Sequence, residues 1–293
     1  DILGLPQKPT DLSAWNAFAK KSKNGNIVVP IAVVGKYFDS GDFVLSDVYI
    51  SVLEALKTAG YHLDIKLKLS YLGSKKFETG EIPLNDLNQY AGVLIPGGFG
   101  ETGVEGKIKV IEYVRANKIP YFGLCYGMQL MVVEYARHVA DLEGAHTTEV
   151  NPTTKHPVIA VMENQRTNIT ESKLGGTMRL GGYPCKLTPD TIAHEAYGME
   201  DVRERHRHRY EVNPAYVAQL EKAGLVFSGR LPDGTLMEIA ELPRDVHPFF
   251  LGTQFHPEFL SRPLQPHPLF SAFVRAARKK KTKPDGSTMR RKK

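Results

Sequence analysis

The sequence is poor in cysteine and has no long apolar run. Only two of its 293 residues are cysteines, Cys125 and Cys185, which is too few for a disulfide framework and suits a reducing compartment. No apolar stretch approaches the roughly 20 residues that cross a bilayer, and the first residues lack the basic and apolar regions of a secretory signal peptide. These absences predict a cytoplasmic protein that is not embedded in a membrane.

Two signatures of nucleotide and nucleic-acid binding are also missing. No segment matches G-x-x-x-x-G-K-[ST], so we expect no hydrolysis of a nucleoside triphosphate by a Walker loop. Residues 275–293 hold ten lysines and arginines and one acidic residue, a local charge of +9, so the net charge of +6 leaves residues 1–274 at −3. Because the body does not interleave basic and aromatic residues, nucleic acid is not an expected partner. Residues 275–293 are predicted to be a disordered basic tail.

The first half of the chain alternates predicted strands and helices. Apolar strands are predicted at 27–35, 65–72, 91–95 and 119–123, with a helix at 104–116 before the last of them. This order is typical of an α/β fold with a doubly wound, largely parallel central sheet and flanking helices. Ligands of such sheets bind at the carboxyl ends of the strands.

After Asp141 the pattern changes to short strands and turns, which predicts an added small antiparallel layer. We interpret residues 1–26 as the end of a linker followed by a short helix, and residues 27–274 as one domain. A last helix is predicted from about Pro268 into Arg278.

A strand-to-helix turn at Cys125 is the most informative motif. Gly123 and Gly127 flank this cysteine in a G-x-C-x-G pattern, which permits the tight, strained turn of a nucleophile elbow. The start of the following helix favours the thiolate over the thiol. A single cysteine is more often a buried structural residue, but the two glycines and the strand-to-helix context favour a nucleophile here.

A nucleophilic cysteine needs a base and a group that orients the base. His256 and Glu258 follow a predicted strand and, two residues apart in an extended segment, project to the same side. By itself a His-x-Glu pair is often an ordinary surface pair. Combined with the elbow, it predicts a catalytic triad of Cys125, His256 and Glu258.

The loop Pro96-Gly-Gly-Phe-Gly100 lies at the end of another predicted strand. Hydrolysis at a carbonyl group needs hydrogen-bond donors aimed at the developing oxyanion, and backbone N–H groups often supply them. Gly97 or Gly98, together with the amide of Tyr126, would meet this need. The alternative is an ordinary strand-to-helix turn, since a glycine loop alone is weakly specific.

These three motifs resemble the class I glutamine amidotransferases. Within that family, four further segments resemble the glutaminase domains of CTP synthases: Val34-Gly-Lys-Tyr, Gly175-Gly-Thr-Met-Arg-Leu-Gly, Glu204-Arg-His-Arg-His-Arg-Tyr-Glu-Val-Asn-Pro and Gln254-Phe-His-Pro-Glu-Phe. The resemblance extends from about Ile27 to Pro263. It implies hydrolysis of glutamine through a γ-glutamyl thioester on Cys125.

The resemblance also implies roles for residues around the triad. Phe99, Gln129 and Glu149 are expected to bind glutamine, the last two at its α-amino group. Arg209 is expected to bind the α-carboxylate, for which a planar guanidinium is suited. GTP is a possible effector, and Thr177 and Arg179 match residues implicated in that response. His206 and His208 lack the accompanying cysteines or carboxylates of a zinc site, so no metal is expected.

The expected partners follow from the same resemblance. A synthetase domain, which we expect to be absent from this chain, would use the ammonia to aminate UTP to CTP, and ATP and Mg²⁺ would belong to that domain. No cofactor is expected in the glutaminase domain itself. Two positions depart from the family pattern: Tyr126 replaces an aliphatic residue, and Glu101-Thr102 lacks the usual arginine, which puts the GTP response or lid closure in doubt.

Other interpretations remain open. The chain could be the amidotransferase of another biosynthetic enzyme, although the Arg/His run and the Gly-Gly-Thr-Met-Arg segment argue against that. It could be a non-catalytic regulatory or assembly module, although all three triad residues are present. A peptidase or deglycase with the same elbow usually lacks the His-Pro-Glu run.

Overall fold

The computed structural model describes residues 11–23, 25–36, 38–40, 43–44, 46–161 and 178–282. The elements up to His138 are α1 (Ser13–Lys23), β1 (Ile27–Gly35), β2 (Asp39–Ser40), β3 (Phe43–Val44), α2 (Ile50–His62), β4 (Ile65–Gly73), α3 (Ser74–Thr79), β5 (Gly92–Ile95), α4 (Val104–Ala116), β6 (Tyr121–Leu124) and α5 (Tyr126–His138). Those that follow are β7 (His146–Thr147), β8 (Pro157–Val161), β9 (Arg179–Leu187), α6 (Ile192–Tyr197), β10 (Asp201–His208), β11 (Tyr210–Val212), α7 (Pro214–Lys222), β12 (Val226–Arg230), β13 (Met237–Glu241), β14 (Phe250–Thr253) and α8 (Pro268–Thr282). The short helical turns are Ser46–Tyr49, Leu84–Gln89 and Pro257–Phe259.

A nine-stranded sheet organises the chain, in the order β10-β9-β12-β13-β14-β6-β5-β1-β4. The five strands from β14 to β4 are parallel, which confirms the predicted doubly wound half. The other four are antiparallel. Most of the predicted antiparallel layer therefore continues the main sheet, because β14 pairs with β6 on one edge and with β13 on the other. A separate three-stranded sheet, β11-β8-β7, is the small added layer.

Both faces of the main sheet are covered. Strand β1 shows why, because its apolar side chains alternate between the two faces: Val29 and Ile31 pack into one core, and Ala32 and Val34 into the other. Helices α4 and α5 cover the face of Ala32, and α2 and α8 cover the face of Val29. The resulting frame holds the carboxyl ends of β5, β6 and β14 side by side.

The last helix extends further than the sequence suggests. Residues 275–282 belong to α8, so the prediction of a disordered tail from residue 275 is wrong for these eight residues. Phe273, Val274 and Ala277 are fully buried on the sheet, while the lysines and arginines lie on the other side or reach back to the body, as Lys280 Nζ does to Tyr90 O at 2.8 Å. The basic run is the polar side of an amphipathic helix. Residues 283–293 lie outside the described part.

The predicted short helix near the start is also present, as α1. Phe18 packs its ring against Tyr61 and His62 of α2, with ring centroids 5.9 and 5.7 Å apart. Among the helices of the described residues, none is both long enough and apolar enough to cross a membrane.

Candidate active site

Cys125 lies at the sharp turn between β6 and α5. Its backbone has φ 48° and ψ −98°, a conformation that non-glycine residues seldom adopt outside functional sites. The turn is held in place because the Cys125 N–H donates to Thr253 O of β14 at 2.6 Å, and the Cys125 carbonyl accepts from the Gln129 N–H at 3.1 Å. Only 5% of Cys125 is exposed. The predicted elbow is confirmed.

The two flanking glycines are required by close packing. A Cβ atom on Gly127 would lie 2.4 Å from Ile95 O of β5, and one on Gly123 would lie 2.8 Å from the carbonyl carbon of Gly127. Both contacts are shorter than real Cβ atoms tolerate. Tyr121 closes the turn from below, with its hydroxyl donating to Gly127 O at 2.9 Å.

His256 and Glu258 lie beside Cys125, as predicted. His256 Nδ1 donates to Glu258 Oε1 at 2.7 Å, and the imidazole also forms a hydrogen bond with the Cys125 side chain. The backbone N–H of His256 donates to Arg205 O of β10 at 2.8 Å, and its ring stacks on Phe259 with centroids 5.2 Å apart. The short turn Pro257–Phe259 sets this arrangement.

The environment of His256 favours its charged form. Burial alone lowers the pKa of an imidazole, but the negative charges of Cys125 and Glu258 and the hydrogen bonds to both outweigh burial. Together they hold the pKa of His256 well above its usual range. The site therefore places an imidazolium beside the Cys125 sulfur, an arrangement that activates a cysteine nucleophile.

The glycine loop of residues 96–100 packs over the triad. A Cβ atom on Gly97 would lie 2.8 Å from His256 Cε1, so only glycine fits there. Three contacts hold the far end of the loop: the Tyr126 hydroxyl donates to Gly100 O at 2.8 Å, the Gly100 N–H donates to Glu149 Oε1 at 2.7 Å, and Lys36 Nζ donates to Phe99 O. The direction of the Gly97, Gly98 and Tyr126 amides toward an oxyanion stays a prediction.

One cavity of about 630 Å³ opens above Cys125. It brings together nearly all of the predicted site residues, which line it as follows: Gly97, Gly98, Phe99, Cys125, Gln129, Glu149, Arg209, His256 and Glu258. Among the predicted catalytic, oxyanion and glutamine-binding residues, Tyr126 is the exception, because its side chain is buried beneath the loop and only its backbone is available to the site. Phe99 lies at the mouth of the cavity and is 67% exposed.

Hydrogen bonds and nearby charges determine which polar atoms the cavity presents to a ligand. Gln129 Nε2 donates to Tyr210 O at 2.8 Å, which fixes the amide so that Oε1 is left as its acceptor. Burial raises the pKa of Glu149, while the Gly100 N–H, Lys36 and Arg209 act in the opposite direction. The cavity therefore offers a carboxylate and an amide oxygen for a cation, and the Arg209 guanidinium for an anion.

Two residues of the site, Gln254 and Tyr210, lie in motifs of the sequence but were given no role there. Gln254 Nε2 lies 3.8 Å from Cys125 Sγ, and its Oε1 lies 3.3 Å from Gln129 Nε2, so this side chain bridges nucleophile and binding pocket. Its position just before Phe255-His256 at the end of β14 was the available signal. Tyr210 contributes through its backbone carbonyl, which no sequence pattern reveals.

Of the two predicted effector residues, the structure describes only Arg179. Thr177 lies outside the described residues. Arg179 is 4% exposed and does not line the cavity; its guanidinium instead pairs with Glu238 Oε1 at 2.5 Å and Glu211 Oε1 at 3.4 Å. Two buried carboxyl groups therefore hold the guanidinium, and a role of Arg179 in a response to GTP stays a prediction.

Comparison with known proteins gives a consistent result. The family model described as glutamine amidotransferase class-I matches residues 44–276. The chain is 50% identical over 281 residues to the CTP synthase of Pelotomaculum thermopropionicum, a match that covers 96% of the chain and 50% of that relative. It is 49% identical over 280 residues to the CTP synthase of Thermococcus kodakarensis, covering 95% of the chain and 50% of that relative. The chain thus spans about half the length of the curated relatives it matches.

Among solved structures, the chain is similar to the glutaminase domain of Trypanosoma brucei CTPS with bound acivicin. The sequences are 37% identical, the TM-score is 0.77, and the match covers 86% of the chain and 94% of that domain.

Proposed function

Because the chain belongs to the class I glutamine amidotransferase family and is the counterpart of the glutaminase domain of CTP synthase, we propose that it hydrolyses glutamine on Cys125. The observation that carries this proposal is the contact of one imidazole, His256, with both the Cys125 side chain and Glu258 at the floor of a cavity. A buried structural cysteine has no need of such a neighbour.

The proposed reaction has two halves. The Cys125 thiolate attacks the side-chain carboxamide carbon of glutamine, and the N–H groups of Gly97 or Gly98 and Tyr126 stabilise the oxyanion. His256 gives its proton to the departing nitrogen, so that ammonia leaves and a γ-glutamyl thioester remains. A water molecule, deprotonated by His256, then attacks the thioester and releases glutamate, which restores the thiolate and the imidazolium.

The cavity supports the proposed placement of glutamine. Glu149 and the Oε1 atom of Gln129 would hold the α-ammonium group, and Arg209 would hold the α-carboxylate. Burial strengthens these contacts, because charges interact more strongly where water is excluded. Phe99 at the mouth would shield the bound side chain from solvent.

The activity of the whole protein is likewise a proposal. The relatives with twice this length are CTP synthases, so we propose that the ammonia passes to a synthetase domain that aminates UTP to CTP with ATP and Mg²⁺. GTP is retained as a proposed effector. We also propose a cytoplasmic location, which the two unpaired, buried cysteines support.

An assay of ammonia and glutamate release tests the proposed hydrolysis. The chain should release equal amounts of both from glutamine, and Cys125→Ala should release neither. Cys185→Ala is the matched control, because Cys185 is the other cysteine and lies away from the cavity. Folded protein that leaves glutamine intact, or activity that survives Cys125→Ala, would overturn the proposal.

A further inference from the structure

Five ionisable side chains from the two sheets form a buried cluster behind the cavity. They come from four strands and are each at most 5% exposed: Arg179 (β9), His206 and His208 (β10), Glu211 (β11) and Glu238 (β13). Of these, His208 also lines the cavity. Burying ionisable groups costs free energy unless each of them has a hydrogen-bond partner. The pattern of donors and acceptors in the cluster therefore indicates which groups carry a proton.

The chain of contacts runs from Glu238 to the cavity wall. Glu238 Oε2 lies 3.5 Å from His206 Nε2, His206 Nδ1 lies 2.9 Å from His208 Nε2, and His208 Nδ1 lies 3.2 Å from Tyr210 O. The other oxygen of Glu238, Oε1, accepts from Arg179 at 2.5 Å. Three of the four imidazole nitrogens in this row face one polar atom each, and His208 Nδ1 also lies 3.4 Å from Glu211 Oε1, an oxygen that accepts from Arg179.

The direction of every hydrogen bond follows from the carbonyl at one end. Tyr210 O can only accept, so His208 carries its proton on Nδ1 and, when neutral, accepts at Nε2. His206 must then donate from Nδ1, which leaves its Nε2 without a proton. This nitrogen faces Glu238 Oε2, and neither atom has a hydrogen-bond partner if the carboxyl group is ionised. A single proton on Glu238 would satisfy both atoms.

The electrostatics of the cluster agree with this assignment. Burial, and after it the charge of Arg179, lowers the pKa of His206 to about 2 and that of His208 to about 3, so both imidazoles are neutral. Burial raises the pKa of Glu238 to about 7 against the influence of Arg179. Glu211, the second carboxyl group near Arg179 at 3.4 Å, has its pKa raised by burial to about 8, so the cluster as a whole holds protons on its carboxyl groups near neutral pH.

The end of the row contacts the glutamine pocket. Tyr210 O accepts from His208 and also from Gln129 Nε2, so the same carbonyl positions the predicted substrate-binding amide. At the other end the Glu238 backbone carbonyl accepts from the Gln254 N–H at 2.8 Å, next to the residue that contacts Cys125. The cluster is thus connected to the site from two strands.

We propose that Glu238, His206 and His208 form a protonated hydrogen-bond relay that positions the Tyr210 carbonyl, and through it Gln129, for binding glutamine. All three are positioning residues that act through Gln129. The inference rests on the proposed function for its ligand, but the relay itself is a property of the folded chain. Its essential feature is one proton shared by Glu238 and His206.

Two uncharged substitutions at Glu238 test whether this position needs a hydrogen-bond donor. In Glu238→Gln the amide can donate to His206 and accept from Arg179, as the protonated acid does, so the KM for glutamine should stay within about threefold of wild type. Glu238→Met cannot donate, and the KM should rise roughly tenfold, with a smaller change in kcat. Equal increases in KM for both variants would contradict the relay.

Glu241→Met is the matched control for the loss of a buried carboxyl group on the same strand. Glu241 accepts from the backbone N–H groups of Ile192 and Ala193 at the start of α6, away from the cavity. This variant should lose thermal stability and keep the KM for glutamine. A tenfold increase in KM here would mean that Glu238→Met also acts through general loosening of the sheet.

Nitrogen-15 NMR of labelled histidine tests the relay without any enzymatic readout. Near pH 6.5, His206 and His208 should both be neutral and carry the proton on Nδ1, the tautomer that free imidazole populates less. Glu238→Met should move His206 away from that state. An imidazolium at His206, or a proton on its Nε2, would overturn the relay. If wild-type protein released no ammonia from glutamine, the proposed function would be wrong. The histidine tautomers would still show whether the relay exists.

Discussion

The molecule holds two buried His–Glu pairs with opposite electrostatics. In the pair at the cavity floor, His256 Nδ1 lies 2.7 Å from Glu258 Oε1; in the pair inside the sheet, His206 Nε2 lies 3.5 Å from Glu238 Oε2. Burial lowers the pKa of the imidazole in both. Yet the pKa of His256 lies well above the usual range of histidine, and the pKa of His206 lies far below it.

The neighbouring group accounts for the difference. Anionic Cys125 adds to Glu258 and stabilises the imidazolium of His256, whereas cationic Arg179 adds to burial and keeps His206 neutral. The same two residue types therefore form a charged acid–base pair at one place and a neutral hydrogen-bonded pair at the other. The predictions below test this contrast.

Replacement of each glutamate by its amide should have unequal effects. Glu258→Gln removes the negative charge that stabilises the His256 imidazolium and adds an N–H donor that can face the ring in place of the acceptor, so kcat for glutamine hydrolysis should fall about a thousandfold. Glu238→Gln should retain most of the activity, because an amide can replace a protonated carboxyl group. Steady-state ammonia release measures both variants. Similar losses in the two would mean that the pairs do not differ as described.

Displacement of the His256 ring should have the next largest effect. In Gly97→Ala the new Cβ atom would lie 2.8 Å from His256 Cε1, which forces the imidazole or the loop to shift. A shift of this size should lower kcat/KM about a hundredfold. Gly98→Ala is the control: its Cβ atom fits at 3.7 Å from Tyr126 Cδ1, so the loss should be below about tenfold. Comparable losses of kcat/KM in the two variants would mean that the contact with His256 is not the cause.

Tyr126→Phe tests the connection between helix α5 and the glycine loop. The variant removes the 2.8 Å hydrogen bond to Gly100 O and leaves the buried ring in place. The loop should be less well ordered over the site, which lowers kcat about five- to tenfold. Tyr135→Phe, which removes a similar bond to Ala223 O away from the cavity, should leave kcat unchanged.

Cys125→Ala should change the pKa of His256 far more than that of His206, because the charge of His256 acts on His206 less than burial and Arg179 do. Without the thiolate, the pKa of His256 falls, because Cys125 is the largest influence that raises it. Histidine NMR titrations of both proteins measure the shift.

The positive charge of His256 also makes the free energy of unfolding depend on pH. A raised pKa in the folded state stabilises the fold fully below the ordinary histidine pKa, and this contribution is lost as pH rises through the raised pKa. Wild type should therefore lose more unfolding free energy than Cys125→Ala between neutral and alkaline pH, as measured by urea denaturation. A pKa of His256 that is the same in both proteins would contradict the account.

The sequence predicted that Cys125, His256 and Glu258 lie together because each motif is local. Cys125 sits between two glycines required by contacts with Ile95 and Gly127, and His256 and Glu258 are two residues apart on one turn. The parallel half of the sheet was predictable for the same reason, since apolar strands and helices alternate along the chain.

What the sequence did not predict depends on contacts between distant segments. Arg179, His206 and Glu238 meet only because β9, β10 and β13 lie on the antiparallel side of one sheet, and no spacing in the sequence encodes that. The tail was misjudged for a related reason. The lysines and arginines after residue 275 outnumber the apolar residues, yet Ala277 continues the buried stripe of Phe273.

The central claim, that Cys125 is a nucleophile in a pocket organised for glutamine, is tested most directly by intact mass after exposure to a chloroketone analogue of glutamine. The account predicts a single adduct on Cys125 that glutamine competes away and that Cys125→Ala lacks; burial raises the pKa of the Cys185 thiol, which should stay unmodified. Protein that stays unmodified, while a general thiol reagent still reaches Cys125, would contradict the account.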